Sequence, residues 1–179
     1  MACGGCRDDR EHPGTVIGVI VPKAEDPGQL ESLSLRVPSG AGVIPLIETA
    51  AGVVRAPAVC AVTGVVRPLV GSLDLAAQLG VDHRVHAALR QASSPLVLAA
   101  AASGCAAPST ASLPASRTTR QLRADLDHAV TLGFSGKLCI PRQVAMANQR
   151  LSPSNADIRW AREAIAAAQA DQSPYTAAT

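Results

Sequence analysis

Short apolar runs bounded by Pro or Gly alternate along this chain with longer segments whose apolar residues recur at helical spacing. Val16-Ile-Gly-Val-Ile-Val21 is rich in β-branched residues and predicts a strand, with Lys23 and Glu25 just past its end. Asp26-Pro27 has the form of an N-cap followed by Pro at the first helical position, opening a short helix through Leu30 and Leu33. A strand at Val43–Ile47, a small-residue helix around Val53–Cys60 and a strand ending at Val70–Gly71 follow. Residues 74–80 start a helical turn that Gly80 closes. Residues 85–103 are Ala- and Leu-rich and read as helix, with Pro95 the main breaker, and residues 105–119 read as a loop with one weak strand near Thr110–Leu113. Leu122, Leu126 and Ala129 or Val130 recur at helical spacing up to Gly133, and Gly136–Ile140 is a final short strand. Ser154 with Asp157 resembles a capping box that opens a terminal amphipathic helix through Ile158, Ala161, Ile165 and Ala168.

Strand–helix alternation argues for an α/β fold with a parallel sheet. A closed eight-stranded barrel usually takes about 250 residues, and this chain has 179. The stretch Val43 to Gly80 holds the candidate chemistry. Its two strands are followed by one carboxylate each, Glu48 and Asp74. Neighbouring strands lie about 4.8 Å apart, so the two carboxylates can share one small hard cation such as Mg²⁺. Ligands of parallel α/β folds bind at that end of the strands. The plainer alternative is that each carboxylate caps a helix or sits on its N-terminal dipole.

Composition narrows the field. The chain is 47% apolar with one Phe, one Trp and one Tyr, so Ala, Val, Leu and Ile build the core, and base stacking on nucleic acid lacks its aromatic platform. A net charge of +2 supplies no field for nucleic acid or an anionic membrane. The first ten residues hold no signal-peptide apolar segment, and the longest apolar stretch, Leu96–Ala107, is broken by Ser103 and Gly104. Five cysteines without framework spacing suit a reduced, cytoplasmic protein. Cys3 and Cys6 form a Cys-x-x-Cys with no second ligand pair at zinc spacing and read as incidental. His83, His86 and His128 are expected on polar helix faces, Cys139 in the core, and Trp160 in packing on the terminal helix. Residues 1–14 and 171–179 are expected to be disordered tails around a domain of 15–170.

Six segments together carry a family likeness. Val-Pro-Lys-Ala-Glu (21–25), Ile-Pro-Leu-Ile-Glu-Thr-Ala (44–50), Gly-Ser-Leu-Asp-Leu-Ala-Ala-Gln-Leu-Gly (71–80), Leu-Gly-Phe-Ser-Gly-Lys-Leu-Cys-Ile (132–140), Pro-Arg-Gln-Val (141–144) and Leu-Ser-Pro-Ser (151–154) occur in order. The chain resembles, over about residues 15–170, the citrate lyase beta-subunit-like branch of the HpcH/HpaI aldolase family. The resemblance implies a partial TIM (β/α) barrel, corresponding to strands four to eight plus a C-terminal helix. It implies a carbon–carbon lyase acting on citryl-, malyl- or methylmalyl-CoA-type thioesters with Mg²⁺, often as a homotrimer. The family's metal-binding Glu and Asp fall on Glu48 and Asp74, and its substrate-carboxylate loop falls on Gly71, Ser72 and Leu73.

The departures from the family pattern are specific. The first three barrel strands, with the substrate-binding Arg of an Arg-Val-Asn type motif, would precede Val16, so no catalytic residue is assigned in this chain. The family's Cys-Ile-His-Pro reads Cys139-Ile140-Pro141, a usual Asp aligns with Thr110, and an Arg expected in the long helix is Ala. A second reading follows from them: a non-catalytic remnant or partner subunit of such a lyase. A pyruvate-enolate aldolase of the wider family is a third.

Overall fold

The computed structural model describes residues 17–111 and 118–170. Five strands, β1 (Gly18–Val21), β2 (Gly42–Ile47), β3 (Leu69–Val70), β4 (Ser109–Thr110) and β5 (Gly136–Lys137), form one sheet in chain order. Every neighbouring pair is parallel. The links are helical: α1 (Pro27–Ser34), α2 (Ala50–Cys60), α3 (Ser72–Leu79) with α4 (His86–Ala102), and α5 (Thr119–Leu132). Two further helices, α6 (Val144–Leu151) and α7 (Asn155–Ala170), follow β5. Strands adjacent in sequence and in space, each pair joined through helix, make this a partial (β/α) barrel.

Local chemistry explains most boundaries. Asp26 caps α1, its carboxylate accepting from Gly28 N–H at 2.9 Å, with Pro27 at the first helical position. Gly80 and Gly133 end α3 and α5 in the left-handed region, at φ +69° and +93°. Ser154 and Asp157 bond reciprocally at the head of α7. Helix α4 continues through Pro95 because tertiary packing outweighs the lost hydrogen bond: Leu96, Ala99 and Ala100, just beyond it, are all buried.

The sheet has two unlike faces. In β2, Val43, Pro45 and Ile47 are buried while Ile44 and Leu46 are half-buried. The buried face meets the helices: Val43, Ile47 and Val70 pack with Leu30 of α1, Ala56 and Val59 of α2, Leu96 and Ala99 of α4, and Ala129 of α5. The other face carries Ile44, Leu46 and, by alternation, Glu48.

Several expectations are corrected. Helix α6 was not anticipated; its Ala147 packs with Leu122 and Leu126 of α5. Strand β5 stops at Lys137, and Leu138 and Ile140 are exposed. Trp160 is 70% exposed rather than packed into the core, and no described side chain of α7 is fully buried. The tails, the Cys3–Cys6 pair and most of the segment after Thr110 lie outside the described residues.

Candidate functional site

Glu48 follows β2 directly and is only 8% exposed. Its Oε1 accepts from the backbone N–H of Lys23 at 3.0 Å. Lys23 adopts φ +49°, the one non-glycine residue in the left-handed region among those described. That conformation costs about 1–2 kcal/mol, and it turns the peptide after β1 toward the carboxylate. The Lys23 side chain is exposed. Glu48 is not a helix cap. Thr49 caps α2 instead, its hydroxyl accepting from Gly52 N–H at 3.1 Å.

Gly71 lies against Glu48 from the next strand. A Cβ at Gly71 would stand 2.6 Å from Glu48 Cβ and 3.0 Å from Oε2, so only glycine fits. Gly71 N–H donates to Ile47 C=O at 2.9 Å, which fixes the approach. Gly71 is also the N-cap of α3, and no side chain caps that end. The N–H groups of Ser72, Leu73 and Asp74 in the first turn therefore have no acceptor within the helix. They form a short cradle of donors with a positive dipole end. Asp74 is the third residue of α3, one helical turn from Gly71, and its side chain is exposed. Gln78 of α3 binds back, its Oε1 accepting from Ala50 N–H at 2.6 Å.

Glu48 and the start of α3 with its backbone donors thus lie at the carboxyl ends of two adjacent parallel strands, with Asp74 in the first turn of that helix. Neither Glu48 nor Asp74 forms an ion pair among the described residues. A buried carboxylate with no cationic side chain beside it carries a desolvation cost that a partner or protonation would relieve. Among the described residues, no group of three or more His, Cys, Asp or Glu could hold a metal.

The model of the HpcH/HpaI aldolase/citrate lyase family matches residues 12–141. The chain belongs to this family. A citrate lyase subunit beta-like protein of Deinococcus radiodurans is 36% identical over 163 residues, covering 86% of this chain and 55% of the relative. A (3S)-malyl-CoA thioesterase of Cereibacter sphaeroides is 33% identical, covering 83% and 52%. The structure of CitE from Mycobacterium tuberculosis in complex with magnesium, acetoacetate and coenzyme A aligns with a TM-score of 0.65 at 30% identity, covering 87% of this chain and 59% of that one. The chain spans a little over half the length of the curated relatives it matches. The HpcH/HpaI aldolase/citrate lyase family is one of enzymes, lyases and related thioesterases among them.

Two features escaped the sequence reading. One is the left-handed Lys23, which no residue-type signal announces. The other is a histidine cluster away from the carboxylates. His86 and His128, expected at the surface, stack with ring centroids 4.4 Å apart and an angle of 4° between planes. His86 Nε2 lies 2.9 Å from Asp125 Oδ1. Burial, with the charges of His86 and Arg90, holds His128 below the ordinary histidine range, Asp125 opposing.

Proposed function

We propose that this chain carries the metal- and carboxylate-binding part of a Mg²⁺-dependent carbon–carbon lyase acting on a citryl-, malyl- or methylmalyl-CoA-type thioester, within a domain of about residues 15–170. The observation that carries this reading is Glu48: buried, without a cationic partner among the described residues, oriented by Lys23 N–H and pressed against Gly71. The magnesium in the CitE complex and the substrate classes of the relatives support it.

In this proposal Glu48 and Asp74 are the two protein ligands. When bound, Mg²⁺ would supply a Lewis acid for the keto-acid oxygens of the substrate. The chain's own residues do the rest of what is assigned here. The N–H groups of Ser72 and Leu73, with Gly71 keeping the approach free of a side chain, would hold the substrate carboxylate against the positive end of α3. Lys23 N–H keeps Glu48 in one rotamer, so that its second oxygen faces the site. No residue is assigned to activating the acyl thioester. In this proposal another segment or chain supplies that role, within an oligomer that the family resemblance makes often a trimer.

One observation favours a second reading, a partner subunit without its own turnover. Strands β1 and β5 both lie at sheet edges among the described residues, and Ile20, Leu138 and Ile140 there are exposed, as edges awaiting cover would be. A coupled assay for malyl-CoA and citryl-CoA cleavage, on the chain alone and with Mg²⁺ omitted, separates the two. Metal-dependent turnover lost in Asp74→Asn supports the lyase; metal binding without turnover supports the partner subunit.

A further inference from the structure

A second site lies on the opposite face of the sheet from Glu48. Ile47 pairs with Val70, Val70 with Thr110 and Thr110 with Lys137 across the parallel ladder. Ile47 and Val70 belong to the helix-covered core, so this row, Lys137 included, faces the helices. There Lys137 lines a cavity of about 80 Å³ between the sheet and helices α4 and α5. Leu89 and Phe134 form its buried walls. The pair His86–Asp125, with side chains 37% and 24% exposed, marks the mouth, and His128 stacks behind it.

Lys137 forms no ion pair and no side-chain hydrogen bond among the described residues. An ammonium in such a place loses hydration that no direct hydrogen bond or ion pair among the described residues replaces. Burial accordingly pushes its pKa down, with the charges of Asp125 and Cys139 acting against that shift. Such surroundings favour the neutral amine more than an exposed position does.

We propose that Lys137 is a carbonyl-reactive amine whose pocket admits a small aldehyde or ketone and holds it as an imine. The cavity has room for several water-sized groups, enough for a small carbonyl compound. The lone pair of Lys137 Nζ attacks the carbonyl carbon and forms a C–N bond, while the carbonyl oxygen takes up a proton. The carbinolamine then loses its hydroxyl as water, with the nitrogen giving up its remaining transferable proton. Amine and carbonyl compound become imine and water, with no change of oxidation state. The imidazoles at the mouth, His86 held by Asp125, serve as the proton carriers of the dehydration.

The chain has only two lysines, Lys23 and Lys137, so the test has an internal reference. Full-length protein is incubated at pH 8 with propanal and cyanoborohydride, which reduces any imine to a stable amine, and both sites are quantified by mass spectrometry over time. Lys137 is expected to label several-fold faster than the exposed Lys23 in the folded protein, and at an equal rate in guanidinium. His86→Gln is expected to slow labelling at Lys137 and leave Lys23 unchanged. Labelling of Lys137 no faster than Lys23 in the folded protein overturns the proposal, and needs no variant that has to fold.

Discussion

The backbone N–H of Lys23 donates to Glu48 Oε1 across 25 residues of sequence, from a left-handed peptide at the end of β1. The bond fixes one carboxylate oxygen and leaves the other toward Gly71. Because the donor is main chain, the Lys23 side chain is dispensable to it. Lys23→Gly keeps the N–H and relieves the left-handed strain, so it should raise stability by up to about 1 kcal/mol. Urea denaturation measures this, and a Mg²⁺ titration of the same variant should match that of the parent.

Gly71→Ala tests the close approach from the other side. The added methyl would stand 2.6 Å from Glu48 Cβ, and neither strand has room to give. A cost of about 1–3 kcal/mol in chemical denaturation is expected, together with weakened divalent-ion binding as Glu48 is displaced. Ser72→Ala, which alters no backbone donor, should leave both nearly unchanged.

Acid should loosen the packing of α4 against α5. The folded pKa of His128 is depressed below 6.5, chiefly by burial. The unfolded chain therefore takes up its proton first as pH falls. The stability that neutral His128 contributes is complete above about pH 6.5 and is lost as pH drops through the lowered folded value. Thermal unfolding at pH 7.5 and pH 5.5 should show a fall in Tm that is smaller in His128→Gln.

Cys60 should be chemically silent in the folded protein. Burial, and secondarily Cys105, push its thiol up to about 12, so almost no thiolate exists at pH 8. Iodoacetamide at that pH should leave Cys60 unmodified until denaturant is added, as peptide mapping would show.

What the sequence made legible was local or repeated. Asp26-Pro27 and Ser154 with Asp157 announce helix starts because capping involves residues two or three apart. The strands of Val43–Ile47 and Val70 stand out as apolar runs, while the metal-ligand role of Glu48 and Asp74 is a proposal that rests on the family motifs around them. The HpcH/HpaI aldolase/citrate lyase likeness itself agrees with the family model over residues 12–141. What stayed hidden depends on distance or on backbone geometry. The stacking of His86 on His128 joins residues 42 apart, and each alone looks like a surface histidine. Helix α6 has one buried position, Ala147, too little to make an apolar stripe. Trp160 was expected to pack because large aromatics usually do, yet α7 presents it to solvent. Gly71 read as a substrate-loop glycine, while the structure shows it also makes room for Glu48.

If Glu48 and Asp74 hold one divalent ion, a Mg²⁺ titration followed by thermal unfolding reports it. A saturable rise in Tm is predicted for the parent chain, with the rise abolished in both Glu48→Gln and Asp74→Asn. Equal shifts in all three proteins, or none in the parent, would contradict it.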